Sequence, residues 1–483
     1  MLRMLDRMNL THFSILIVMT AVCAIHRCCC TEQHFDCPLA QHLSPCTCTA
    51  RVYGLDVVCT DISSVQLREV MDVVSLTRQT IWFLRITRAE LSQFPLKLLD
   101  GLDLQNLILV QSNITTLDSG SLAGDASRVE SLDLSKNCLT KVPSQALSGL
   151  KELAALSLDY NCLETLEAHV FSDLVSLLWL SLYGNRIRLI DSRAFLGTEG
   201  SLTRLNLGGN RLGQVPRYAL QRLNCLQGLR LHDNNISDIL VENLPTSLCD
   251  LDLSGNDIEY LEAEAFVTLK HLTALDLEDN KIRGIHEDAF KGIHDSLEWL
   301  KLGGNKLNHI PQVALRNFSH LRQLDLRCNS IPSIEAQSFQ FYGRTLKFIF
   351  LQKNKIQRIA EGALDVLESV EWLYLHSNEL KELRFNTFRN IIDNLHVLDL
   401  HDNPYHCDCD ILWFRDWLHL KGQNVVNLPK ETRCNTTVHD QKPIVKLTNS
   451  SFSCSGKSDI TTNSVTLLSL LLISMLTFIV SIR

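Results

Sequence analysis

The side chains of this 483-residue chain best able to do chemistry are cysteine and histidine, seventeen of each. Cys37, Cys46, Cys48 and Cys59 follow the spacing C-x8-C-x-C-x10-C, and Cys407, Cys409, Cys434 and Cys454 form a second group. Thiols grouped in this way either ligate zinc or pair as disulfides. C-x-C is a poor spacing for four tetrahedral donors. Disulfides need an oxidising compartment, and the chain begins with the pattern that leads to one. Arg3 and Arg7 precede an apolar run from Phe13 to Ala24 that ends in Val22-Cys23-Ala24, so residues 1–24 read as a signal peptide. A run of about twelve residues is too short to anchor across a membrane. His232, His376 and His401 share an outward strand position but read as lying in distant coils, as lone solvated side chains, and form no H-E-x-x-H or triad-like set, and no glycine-rich phosphate loop follows a strand. No catalytic residue, metal site or cofactor is expected, and the chain reads as non-enzymatic. A net charge of −8 with no evident basic stripe argues against nucleic acid as a partner.

The elements that must position these groups are set by a repeat. Asn137, Asn161, Asn185, Asn210, Asn234, Asn256, Asn280, Asn305, Asn329, Asn354, Asn378 and Asn403 recur every 22 to 25 residues in the frame L-x-x-L-x-L-x-x-N. Ser112 and Ala89 occupy the asparagine slot two coils further upstream, which gives fourteen coils. In each coil the two leucines of one short strand, such as Leu156 and Leu158, point inward while the residue between them faces out. Apolar positions five residues past the asparagine (Leu166, Ile190, Val215) and later pairs such as Ala194-Phe195, Ala265-Phe266 and Ala289-Phe290 fill the coil from its outer side. The asparagine amide both donates and accepts, so it can satisfy backbone groups stranded at the bend. A single coil orders too many residues for the surface it buries, so the coils must stack and the open ends must be capped.

This pattern resembles the extracellular leucine-rich repeat family with cysteine-rich caps. The resemblance implies an α/β solenoid, a horseshoe of about fourteen coils, with disulfide-bonded caps: 37–80 at the front, repeats at 81–403, and 404–454 at the rear. Sequence alone allows three pairings for each set of four cysteines. The family implies crossed pairing, Cys37–Cys48 with Cys46–Cys59 and Cys407–Cys434 with Cys409–Cys454. Ser44-Pro45-Cys46-Thr47-Cys48 and Gly54-Leu55-Asp56-Val57-Val58-Cys59 are similar to an arthropod group of surface and secreted members. That group includes connectin-like adhesion proteins and the non-catalytic subunit of a shrimp luciferase. Between Cys59 and Ile81 the repeat is unclear, with room for a short helix.

The concave strand face is where such a solenoid presents side chains. Phe348 and Phe350, then Trp372, Tyr374 and His376, lie at outward positions of consecutive coils, with Trp299 further back, and they are the expected ligand-binding residues. Mutual stacking that stiffens the sheet is the competing explanation. Tyr160, Trp179 and Tyr183 form a smaller cluster. Asp250, Asp252, Asp276, Glu278 and Asp279 read as a solvated acidic face. Cys138 and Cys162 each follow the asparagine of adjacent coils, and the strand spacing of about 4.8 Å predicts a bridge between them. A bridge between Cys225 and Cys249 is less secure, and Cys328 has no evident partner. Asn113, Asn235, Asn317, Asn435 and Asn449 head glycosylation sequons, with Asn113 and Asn235 expected to face solvent.

A polar spacer, 455–464, leads into an apolar tail, 465–483, that ends in a single arginine. This reads as a glycolipid-anchor signal with attachment at Gly456, in preference to a spanning helix lacking a flanking basic cluster. The expectation is a cell-surface glycoprotein on the extracellular side of the plasma membrane. It would bind an extracellular protein, or a second copy of itself, in cell–cell adhesion or recognition. A secreted accessory or carrier subunit and a pattern-recognition co-receptor are the other readings.

Overall fold

The computed structural model of the chain describes residues 35–91, 93–122, 128–239, 244–421, 432–435 and 442–448. The expected signal peptide, spacer, anchor, Gly456, Cys454 and Asn449 lie outside them. One sheet of sixteen strands runs the length of the molecule. Its first two, β1 (Thr47–Arg51) and β2 (Gly54–Thr60), are antiparallel and belong to the front cap. The remaining fourteen, from β3 (Thr80–Thr87) and β4 (Asp103–Val110) to the strand Val397–Asp399, are parallel, one per coil. The expected solenoid is therefore the fold.

The inward leucines are buried in every coil, with Leu156, Leu158, Leu180 and Leu182 fully enclosed. The later phenylalanines stack behind them in separate pairs, Phe171 on Phe195 at 5.9 Å and Phe266 on Phe290 at 6.0 Å, with Leu220 buried between the two. The asparagines tie the coils together. Asn161 Nδ2 donates to the carbonyls of Leu158 (3.1 Å) in its own coil and Leu134 (3.0 Å) in the one before, and its Oδ1 accepts from Leu139 N–H (3.0 Å). The same set recurs as far as Asn403. At coil two Ser112 does part of this work, with Oγ accepting from Ala89 N–H at 3.1 Å and donating to Val110 O at 3.0 Å.

A second column was not anticipated. The residue just before each ladder asparagine, from Lys136 and Tyr160 to Asp402, is left-handed, with φ between 51° and 69°. Gly184, Gly209, Gly255 and Gly304 fill this position in four coils. Those glycines were the available signal, because only glycine enters that region without a Cβ penalty.

Both caps close the ends with disulfides. Cys37–Cys48 and Cys46–Cys59 hold β1 and β2, and Cys407–Cys434 joins the rear cap. Cys409 is also disulfide-bonded, and its expected partner lies outside the described residues. Helix α1 (Ser64–Ser75) fills the stretch after Cys59. Ser63 and Gln66 form a capping box at its start, and Leu67, Val70, Met71 and Val74 bury one stripe at helical spacing. The bridge expected between Cys138 and Cys162 is not formed, and both thiols are free. Equivalent side chains of in-register parallel strands run side by side, so their Cβ separation stays near the strand spacing of about 4.8 Å, longer than a disulfide's ~3.8 Å. Cys225, Cys249 and Cys328 are free as well.

Candidate concave binding surface

Register decides which outward side chains meet. Trp299, Gln323, Phe348, Trp372 and Val397 form one row across five strands, and Lys301, Asp325, Phe350, Tyr374 and Asp399 form the next. Trp299 reaches over Gln323 to stack on Phe348 at 6.2 Å and 14°, and Phe348 meets Trp372 edge-on at 4.9 Å. In the second row Phe350 stacks on Tyr374 at 5.1 Å and 14°. Tyr374 meets His376 edge-on at 6.4 Å, and His376 stacks on His401 at 4.4 Å and 11°. All six expected residues therefore belong to one ring-lined surface. The rings pack on one another, as the stacking explanation requires, yet stay half-exposed, and Trp299 keeps 38% of its surface.

The expectation of distant histidines is corrected for one pair: His376 and His401 belong to adjacent coils and are in contact. His401 Nδ1 lies 2.5 Å from the buried Asp399 carboxylate. Burial lowers the His376 pKa, and burial followed by the Asp399 charge raises that of Tyr374. The end of the ring surface is thus a polar cluster seated on one buried carboxylate.

The acidic face divides: Asp250 and Asp279 are exposed as expected, whereas Asp252, Asp276 and Glu278 are partly covered. Lys301 Nζ bonds Asp276 at 2.8 Å, Arg327 bonds Glu278 at 2.8 Å and approaches Asp325 at 3.5 Å, and His232 Nδ1 lies 3.3 Å from Asp252. These carboxylates are largely covered by the cations and by each other rather than solvated. Burial pushes the Glu278 carboxyl up to about 7. Burial opposes ionisation of Asp252 too, but the nearby His232 imidazole and hydrogen bonds donated by Ser254 hold it at about 2. Sequence reasoning missed the network because its cations lie one or two coils away from the acids they neutralise.

The smaller aromatic cluster divides. Tyr160 meets Tyr183 edge-on at 5.3 Å, and Tyr183 stacks on His232 at 5.4 Å. Gly208 makes room for that second contact, since a Cβ there would come within 2.5 Å of the imidazole. Trp179 pairs in register with Ala155 and Arg204 instead. Of the sequon residues, Asn113, Asn235, Asn317 and Asn435 are exposed, as expected for the first two. No helix of the described residues is long and apolar enough to cross a membrane.

Comparison with known proteins agrees with the geometry. The family described as "Leucine rich repeat" matches residues 103–163, 128–187, 151–200, 246–307, 295–343 and 319–380. Chaoptin of Drosophila melanogaster is 29% identical over 205 residues, 42% of this chain and 13% of chaoptin. Keratocan of Mus musculus is 32% identical over 98 residues, 20% of this chain and 28% of keratocan. The chain thus spans well under a third of either relative. Among solved structures, a Leptospira interrogans LRR protein superposes with a TM-score of 0.58 at 22% identity, covering 80% of this chain and 98% of that one. The LRR part of FLRT2, in a complex with Latrophilin 3 and Unc5D, superposes with a TM-score of 0.54 at 26% identity over 65% of this chain and 94% of that chain. By its matched repeats, its asparagine ladder and its fold, this chain belongs to the leucine-rich repeat family.

Proposed function

We propose that this chain is a cell-surface glycoprotein that binds a protein ligand through the concave face of coils ten to fourteen, in cell–cell adhesion or recognition. One observation carries the reading: Trp299, Phe348 and Trp372 form one row of half-exposed rings and Phe350, Tyr374, His376 and His401 a second on the same outward strand face. Aromatic side chains that keep exposed faces supply large contact area with little entropy to lose, the composition of binding hot spots. The disulfides fit an oxidising compartment. The signal-like 1–24, the sequons and the apolar tail 465–483 fit attachment to the outer leaflet through a lipid anchor at Gly456. Support also comes from the resemblance to chaoptin and from a neighbour, FLRT2, that is seen in complex with Latrophilin 3 and Unc5D. The arthropod-like front cap points the same way.

The test is to display the full chain on non-adherent cells and score their aggregation. Self-binding predicts aggregation that Phe350→Asp combined with Trp372→Asp abolishes. Aggregation that survives both substitutions would remove this surface from the function. No aggregation at confirmed surface density would exclude self-binding and leave a different protein as the ligand.

A further inference from the structure

In a solenoid each coil touches only its neighbours, so a segment of unusual charge in the sequence becomes a charged zone in space. Residues 186–230 contain eight arginines, no lysine and two carboxylates, whereas residues 233–264 contain nine carboxylates and no lysine or arginine. The reading that no basic stripe exists is therefore corrected: coils five to seven carry one, hidden by the net charge of −8.

Pairing is more frequent outside this zone. In coils nine to thirteen many cations lie against carboxylates of adjacent coils, as in Lys281–Asp257, Arg283–Glu259, Arg322–Glu298, Lys347–Glu371 and Arg358–Glu335, while Lys306, Lys355 and Lys381 stand singly in separate coils. In coils five to seven Arg193 reaches Asp191 at 3.6 Å, but Arg186, Arg188, Arg204, Arg211, Arg222 and Arg230 form no ion pair among the described residues. Those six are all exposed.

Three of the six lie together. Arg186 and Arg211 each follow the ladder asparagine of adjacent coils, and their N–H groups donate to Leu163 and Ile187 of the coils before, so they occupy one column. Adjacent positions in such a column are about 4.8 Å apart. Arg188 projects from the same edge two residues on. Its N–H donates to Glu164 O at 3.0 Å, but the Glu164 carboxylate makes no ion pair with it. The column continues with the neutral Asn235 in coil seven and turns acidic at Asp257 in coil eight, whose N–H groups donate to Leu212 and Ile236.

We infer that the lateral edge formed by Arg186, Arg188 and Arg211 is a second binding site, for a sulfated polysaccharide. Unpaired cations at short spacing repel each other and favour a ligand of high anionic charge density. Guanidinium groups are weakly hydrated and match oxyanions with paired donors, which explains arginine without lysine. None of the three arginines packs over an aromatic ring among the described residues, so their guanidinium groups are left for a ligand's oxyanions. The disulfides fit an oxidising compartment. This inference does not rest on the ring surface of coils ten to fourteen.

The test uses the full chain in detergent, with heparin as the probe. The unmutated protein should be retained on heparin at physiological salt. Arg186→Glu, Arg188→Glu and Arg211→Glu together should weaken binding at least ~10-fold and flatten its salt dependence. Lys306→Glu, Lys355→Glu and Lys381→Glu change the same charge at matching register positions in distant coils, and should stay within ~2-fold of the unmutated protein. If the charge-reversed triple misfolds, the three Arg→Gln changes give the same reading. The inference is overturned if the unmutated chain is not retained, or if both triples lose binding equally. Competition by polyglutamate or single-stranded DNA as strong as heparin's, at equal charge, would also overturn it.

Discussion

Coils ten to fourteen and coils four to seven share one backbone plan and one asparagine ladder, yet they treat their surface groups in opposite ways. In the first region rings rest on rings in consecutive strands, and cations meet acids in adjacent coils. In the second region Gly184, Gly208 and Gly209 open gaps that Tyr160, Tyr183 and His232 lean into, and most arginines have no acid beside them. The framework residues are held constant by the core, while the outward positions vary without threatening the fold. A region whose outward groups satisfy one another is rigid and offers a shaped face. A region whose outward groups are left unsatisfied offers charge. The contrast separates two kinds of recognition on one scaffold.

The largest expected effect would show that the contrast is confined to the surface. Asn161→Ala and Asn354→Ala each strand several buried backbone groups, and each should cost about 3 kcal/mol in equilibrium unfolding. A cost in one region more than twice that in the other would mean that the frameworks differ as well. Next comes the coupling between rings. A double-mutant cycle on Phe348 and Trp372, both to Ala, should give an interaction of about 0.5–1.5 kcal/mol, whereas Trp179 with Tyr183 should give almost none. Equal coupling in both pairs would remove the distinction drawn between the clusters.

The acidic network of coils eight to eleven adds a pH dependence. Glu278 has its carboxyl raised by burial from 4.5 to about 7, so between those values the folded chain holds a proton that the unfolded chain has released. Stability should therefore fall as pH rises through that window, and Glu278→Gln should remove this slope, by about 1–2 °C in melting midpoint between the two ends. A slope that persists unchanged in the variant would assign it to another group. The smallest effect concerns the left-handed column. Cys328→Gly should gain about 0.5–1 kcal/mol and Gly209→Ala should lose at least as much, because the first position carries a Cβ at φ 54° and the second is glycine at φ 62°. Melting midpoints that shift in the same direction would contradict a shared strain.

Much of this was legible because a repeat states its own register. The inward leucines, the phenylalanine pairs and the asparagine slot follow from residues at fixed spacing, and the ring surface followed from counting outward positions. The left-handed column was less legible, since only four of its members are glycine and the remainder, Tyr160 and Cys328 among them, carry ordinary side chains. The covering of Glu278 and Asp325 could not be read at all. It depends on Arg327 folding back over Gly303, where a Cβ would come within 2.9 Å of the arginine stem. The free thiols of Cys138 and Cys162 show the same limit, because matched register fixes how far apart two residues lie but not whether their side chains converge.

The sequence by itself determined the number of coils, the inward face of each strand, the disulfide caps and the segregation of arginine from carboxylate along the chain. A solenoid makes this possible, since neighbours in space are neighbours in the repeat. The tertiary structure decided which outward groups touch. Ring stacking at 4.9 Å, the His376–His401 contact and the pairing or isolation of each cation depend on side-chain direction across coils. Side-chain direction is set by packing against the next coil, not by position in the repeat.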